Sequence, residues 1–218
     1  MGMTLFHGSD KIVEKPTYGL GNPHNDYGLG FYCTQQVELA KEWACTEGKD
    51  GFVNEYDFNT EGLNVLHLND GRHSILNWLS ILLENRRFDL SIPVTVQARE
   101  YLIRNYLPDY KGYDVIIGYR ADDSYFSFAR AFLSNGITLE QLGRAMALGK
   151  LGEQVVLMSE AAFSRLEFVF STPVESSIYY ARRMFRDRNA RNDYLAILAE
   201  PAKADAVYVS DLINGKSI

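Results

Sequence analysis

The chain has 218 residues, 46% hydrophobic and 23% charged, which describes a globular protein with a sizeable core and excludes a disordered tail or a coiled coil. Its formal charge of −6 argues against a protein that coats phosphate backbones and leaves room for a local basic site. Two cysteines, Cys33 and Cys45, make neither a disulfide framework nor a structural zinc site; the opening MGMTLFHGSD lacks a secretory signal, and no apolar run nears the ~20 residues of a membrane span, so the expectation is a cytoplasmic protein without a membrane partner.

In chain order, residues 4–7 read as a short strand ending at Gly8. Residues 10–30 read as loop, punctuated by Pro16, Gly19, Gly21, Pro23, Asn25, Asp26, Gly28 and Gly30. The aromatic and β-branched run 31–34 reads as a strand. Residues 37–45 follow as a helix, with Thr34 as N-cap and Leu39, Ala40, Trp43 and Ala44 on one apolar face. Alternation over 52–58 predicts another strand. The middle is more helical, with broad apolar faces over 74–86 and 95–106. The run YDVIIGY at 113–119 reads as a buried strand. Helices are expected over 123–133 and 138–148, separated by Asn135-Gly136 as a C-cap pair. Strands at 154–158 and 166–171 flank a helical turn at 160–165. A polar helix with an arginine cluster spans 175–199, and 206–209 reads as a last strand. Short strands at both ends with helices between them argue an α+β fold rather than a doubly wound parallel sheet.

Several familiar chemistries are missing. The sequence holds no GxxxxGK[ST] phosphate loop and no G-x-S-x-G elbow. None of His7, His24, His67 and His73 pairs at i, i+4, so no metal site is expected. The glycines of 19–30 do not spell a dinucleotide-binding G-x-G-x-x-G before a helix.

Three segments stand out: His7-Gly8-Ser9 at the end of the first strand; Tyr27-Gly28-Leu29-Gly30-Phe31-Tyr32-Cys33-Thr34, with Trp43 eleven residues after Tyr32; and Gly152-Glu153-Gln154-Val155-Val156-Leu157. Together they resemble the diphtheria-toxin and poly(ADP-ribose)-polymerase side of the ADP-ribosyltransferase superfamily. Its polymerases read H-G-S, then G-x-G-I-Y-F-A, then N-E-Y-I-V-Y. Nearly the whole chain is similar to an uncharacterised bacterial family of such transferase-like domains, of the Firmicutes type.

The resemblance implies a split two-sheet core that binds NAD⁺ as substrate in the cleft between sheets. His7 and Ser9 would hold a ribose, and the backbone of Gly8 would grip the nicotinamide amide. Gly30, Phe31, Tyr32 and Trp43 would line the nicotinamide slot, where aromatic faces attract a flat cationic ring. Trp43 departs from the family's tyrosine and lacks its hydroxyl. A carboxylate near the ribose would stabilise the positive charge that grows as nicotinamide leaves. Adjacent strand residues face opposite ways, so only one of Glu153 and Gln154 faces the slot. Electrostatics favours Glu153, and the bacterial family's pattern favours Gln154. If Gln154 faces in, the charge comes from Asp122 or Asp123.

These residues also have plainer readings. His7 ties down a turn, and Trp43 packs its helix on the sheet. Asp122 and Asp123 open a helix, where acids are stabilising in themselves. The cluster Arg182, Arg183, Arg186, Arg188 and Arg191 is a solvated face partnered by Asp187 and Asp193, or else a dock for a phosphate-bearing target or an acidic partner. Cys33 is a buried structural thiol.

The sequence reading is therefore one α+β domain over 1–218, an ADP-ribosyltransferase-like split core with a helical insertion at about 70–150 and an Arg-rich helix at about 175–199. The implied activity is mono-ADP-ribosyl transfer from NAD⁺ to a macromolecular acceptor, protein or nucleic acid, with His7, Tyr32, Glu153 and Gln154 as candidate catalytic residues. By resemblance alone, the role is that of a toxin or conflict-system protein with a cognate antitoxin. The competing expectation is a catalytically silent NAD- or ADP-ribose-binding module.

Overall fold

The structure is a computed structural model that describes residues 2–88, 92–121, 123–148 and 152–217. In chain order its elements are β1 (Gly2–Ser9), β2 (Phe31–Cys33), α1 (Val37–Ala44), β3 (Gly51–Asn59), β4 (Val65–His67), α2 (Ile75–Asn85), α3 (Pro93–Tyr106), β5 (Val115–Gly118), α4 (Asp123–Leu133), α5 (Leu139–Met146), β6 (Gln154–Leu157), α6 (Glu160–Phe163), β7 (Leu166–Val174), α7 (Ser176–Ala199) and α8 (Val209–Ile213). The fold is mixed α+β with two sheets.

The first sheet is antiparallel, in the order β1-β3-β7; the second runs β2-β6-β5-β4, parallel only between β4 and β5. One bridge joins their edges. Phe6 N–H donates to the Thr34 carbonyl at 2.8 Å, and Thr34 N–H returns the bond at 3.0 Å. Pairing between β1 and β2 stops there, so beyond Phe6 the end of β1 faces a gap rather than a neighbouring strand.

Strand alternation sorts the core into layers. Val115, Ile117, Val155 and Leu157 point toward the first sheet and pack with Leu5, Tyr56, Phe58 and Phe31. Ile116 and Val156 point the other way, into a larger core with Leu76, Trp78, Leu82, Phe128 and Leu142 from the helices. Both faces of the second sheet are thus covered, which is why its strands read as unbroken apolar runs. Each such aliphatic or aromatic side chain contributes roughly 1.5–3 kcal/mol on burial. On the outer side of the first sheet, Ala40 and Ala44 of α1 pack on Val53 and Val174.

Helix starts follow local chemistry. Ser74 and Asn77 form a capping box on α2, as do Thr138 and Gln141 on α5. Asn135 takes a left-handed φ of 63° after α4, as its place in the Asn-Gly pair foretold. Two expectations are corrected, and one strand is added. The N-cap of α1 is Gln36, not Thr34, whose hydroxyl accepts the Gln36 N–H from two residues upstream. The segment 206–209 is not a strand: it leads into α8, whose Val209 and Leu212 are buried in the helical core. β4 was not foreseen, because a three-residue parallel strand carries no hairpin turn to mark it. Among the described residues, no helix is long and apolar enough to cross a membrane.

Candidate functional site

The gap past Phe6 opens into a cavity of about 300 Å³ lined by His7, Gly8, Asn25, Asp26, Tyr32, Trp43, Arg86, Arg120, Ala121, Gln154 and Arg183. It has two walls of different character.

The first wall comes from β1, β2 and α1. His7 Nδ1 donates to the Tyr32 carbonyl at 2.8 Å, because a carbonyl can only accept. The imidazole also lies 4.4 Å from the Phe31 ring, centroid to centroid. Burial lowers the His7 pKa, against the opposing effect of the Tyr32 backbone bond, so the ring is neutral and Nε2 keeps its lone pair. Gly8 lies two residues past Phe6, so its N–H and C=O point away from β3, to the side where pairing has ended. A Cβ on Gly8 would stand 2.0 Å from the Ala40 carbonyl and 2.7 Å from the Ala44 N–H, so the close approach of β1 to α1 requires glycine. The Tyr32 hydroxyl donates to the Gly28 carbonyl at 2.6 Å and accepts the Tyr27 N–H at 3.1 Å. Gly28 reaches that geometry through a φ of 82°. The hydroxyl is thereby engaged, and burial raises its pKa, so Tyr32 offers the cavity its ring rather than a labile proton. The Trp43 ring carries the Arg120 guanidinium 3.0 Å from its centroid: a protein cation stacks on the ring expected to stack a ligand cation.

The second wall is ionic and is assembled from distant segments. The loop before β2 is pinned to the helical core: Tyr27 is buried, and its hydroxyl donates to the Tyr119 carbonyl at 2.6 Å, which Trp78 Nε1 also reaches at 3.1 Å. This drives the neighbouring Asp26 inward until it is only 6% exposed. Its Oδ1 pairs with Arg86 Nε at 2.9 Å. Its Oδ2 accepts the Ala121 N–H at 2.9 Å and Gln154 Nε2 at 2.8 Å. Arg86, at the C-terminal end of α2, also donates from Nη2 to the Ala121 carbonyl at 2.8 Å. Arg120 enters from beyond β5, and Arg183 from α7. Three guanidinium groups and one carboxylate are thus among the described residues that line the cavity.

This arrangement can do three things. The guanidinium groups suit an anion, phosphate above all. His7 Nε2 and the Gln154 carbonyl oxygen accept hydrogen bonds from hydroxyl or amide donors. Tyr32 and Trp43 offer aromatic surface for a flat ring. Among the described residues, no group of three or more His, Cys, Asp or Glu side chains gathers to hold a metal.

The cavity gathers His7, Gly8, Tyr32, Trp43, Gln154 and, from the arginine cluster, Arg183 of the residues singled out in the sequence. Glu153 lies outside it, exposed, accepting Asn69 Nδ2 at 2.9 Å. The reason is the sheet: Val155 and Leu157 must face the first sheet, which turns Gln154 and Val156 to the other side. Ser9 is also elsewhere. Its hydroxyl donates to the Lys11 carbonyl at 2.5 Å and accepts from the buried Asn54 at 3.0 Å, closing the turn after β1. Phe31 is buried between the sheets, where it backs the His7 ring. Gly30 lies against Val156 and Leu157 of β6 rather than lining the cavity. Asp122 and the Asp123 side chain lie outside the described residues. The arginine cluster is divided. Arg186 meets the buried Glu42 of α1 at 2.6 Å, and Arg182 meets Glu38 at 2.8 Å, so their partners are on α1 rather than the expected Asp187 and Asp193. Asp187 does partner the cluster, through Arg191 at 2.8 Å. Cys33 and Cys45 are free and buried, and burial pushes both thiols up.

Asn25 and Asp26 read in the sequence only as loop residues, and Arg86 and Arg120 were not picked out. Each is an ordinary polar residue in a loop or at an element's end, and only the tertiary fold brings them together.

The profile of a family described as a protein of unknown function (DUF3990) matches residues 3–168, more than half of the chain. No curated protein and no solved structure matches.

Proposed function

The chain belongs to the DUF3990 family, and we propose that it is an NAD⁺-dependent ADP-ribosyltransferase acting on a macromolecular acceptor. The observation that carries this reading is the cavity at the split between the sheets. It joins the end of the His-Gly strand, the Tyr32 and Trp43 rings, and a phosphate-suited ring of arginines in one site. Its donors and acceptors match the parts of the dinucleotide. Arg86, Arg120 and Arg183 suit the pyrophosphate. His7 Nε2 and the Gln154 carbonyl oxygen suit ribose hydroxyls or the carboxamide NH₂. The open backbone of Gly8 suits the carboxamide as well. The nicotinamide ring would take the aromatic surface that Arg120 holds, and the displaced guanidinium would remain beside the phosphates.

In the reaction, the C1′–N bond breaks and nicotinamide leaves with its electron pair. A nucleophile on the acceptor bonds to C1′ and gives up its proton. Positive charge grows on the ribose between these events, and Asp26 supplies the one carboxylate among the described lining residues.

A second reading, a binding module without turnover, is favoured by one observation: an amide at Gln154 rather than a carboxylate faces the cavity. The deciding experiment incubates the protein with isotope-labelled NAD⁺ and a cell lysate and follows the products by mass spectrometry. ADP-ribose attached to protein or nucleic acid supports transfer. Intact NAD⁺ with measurable binding supports the module. Neither binding nor turnover rejects both readings.

A further inference from the structure

The geometry points to Asp26 as the positioning residue of this cavity: it fixes the Gln154 amide so that the carbonyl oxygen, not the NH₂, faces the bound molecule. This deepens the NAD⁺ reading and rests on it for the identity of the ligand, though not for the geometry itself.

The two ends of a glutamine amide have nearly the same shape, and their chemistry decides which way they lie. Here the neighbour is a carboxylate, which accepts only. The atom 2.8 Å from Asp26 Oδ2 must therefore be Nε2, and the oxygen turns toward the cavity that Gln154 lines. The same carboxylate accepts the Ala121 N–H at 2.9 Å and is ion-paired with the Arg86 guanidinium at 2.9 Å. If the charge of Asp26 is removed, the Ala121 N–H keeps a neutral amide oxygen at that position, a weaker acceptor for Gln154 Nε2, and the hold on the Gln154 amide loosens. Asp26 thus sets the polarity of a residue 128 positions away. With Gln154 held this way and His7 Nε2 free to accept, the cavity presents two acceptors to its occupant. It selects a molecule that brings hydroxyl or amide donors to that wall and an anion to the arginines, as a ribose phosphate does.

The same network explains why position 154 is not an acid. A glutamate there would set two carboxylates at hydrogen-bond distance, and like charges so close do not both ionise. The negative charge of the site sits on the loop before β2 instead.

The test is a charge exchange. Asp26→Asn, Gln154→Glu and the double variant are compared with the parent for binding of ADP-ribose by calorimetry, with thermal melting of each. Each single variant is expected to bind about tenfold more weakly or worse, as befits a weakened hold on Gln154 in the one and two facing carboxylates in the other. The double variant, which restores one carboxylate facing one amide, is expected to lose less than the two single losses together. In parallel, the Gln154 side-chain NH₂ is followed by NMR in protein labelled with ¹⁵N-glutamine; its resonances are expected to shift strongly in Asp26→Asn. Losses that simply add in the double variant would reduce Asp26 to a structural role and overturn the inference. If the parent binds neither NAD⁺ nor ADP-ribose, the NAD⁺ reading falls. The NMR arm then decides alone: unmoved Gln154 resonances in Asp26→Asn overturn the inference, and shifted ones uphold it.

Discussion

The two walls of the cavity were built by different means. The aromatic wall uses residues 7, 8, 32 and 43, which come from three successive elements, and its geometry is set by backbone: a strand end unpaired on the β2 side, a left-handed glycine, and a strand lying close on a helix. The ionic wall draws on residues 26, 86, 120, 154 and 183, and its geometry is set by side chains meeting around one buried carboxylate. A wall built from backbone tolerates little change in shape. A wall built from charges tolerates shape change but not loss of a partner. The contrast predicts where each wall breaks.

The largest effect is expected at the backbone-defined contact. Gly8→Val puts a branched side chain where even a Cβ would stand 2.0 Å from the Ala40 carbonyl, with α1 unable to retreat without leaving Val53. Overpacking against rigid backbone is expected to cost upwards of about 3 kcal/mol. Thermal melting checks this: a Gly8→Val protein as stable as the parent would show that β1 and α1 are not in contact.

The next effect tests the charge-built side. Arg186 braces α7, and with it Arg183, by bonding the buried Glu42 through Nε at 2.9 Å and Nη2 at 2.6 Å. Arg186→Met leaves Glu42 buried and alone, a loss of about 3 kcal/mol, or roughly 10 °C in melting temperature. Replacing both partners, Arg186→Met with Glu42→Leu, is expected to recover most of that, since a well-packed apolar pair often matches a buried ion pair. Equal stability of the single and double variants would mean that the pair is not desolvated.

The same contrast explains what the sequence could reveal. Most helices and strands were legible because their apolar periodicity and caps are local: Ser74, Thr138 and Asn135 mark their elements unaided. His7, Gly8, Tyr32 and Trp43 were legible for the same reason. The choice between Glu153 and Gln154 was not. β6 is buried on both faces, so its apolar run has no alternation, and only pairing opposite Gly118 settles its register. Asp26 was hidden more deeply. An aspartate in a glycine-rich loop looks like turn chemistry, and its role depends on partners at 86, 121 and 154 that no sequence spacing links to it.

The smallest expected effect concerns where the two walls meet in charge. His7 belongs to the aromatic wall, yet its neutral state lets it serve as an acceptor beside the arginines. Burial lowers its pKa below the ordinary 6.5. In the unfolded chain it protonates near 6.5, so below that pH the unfolded state binds more protons than the folded one. Stability therefore falls as the pH drops from about 6.5 toward the lowered folded value and is fully present above it. The loss from one such group cannot exceed about 1.4 kcal/mol per pH unit. Other titrating groups add their own slope, so the comparison is with His7→Asn, whose amide can still donate to the Tyr32 carbonyl but does not titrate. Urea unfolding across pH 5 to 8 is expected to show a shallower loss for His7→Asn than for the parent below about 6.5, and parallel curves above it. Parallel curves throughout would mean that His7 titrates alike in both states, and the acceptor assigned to its Nε2 would lose its physical basis.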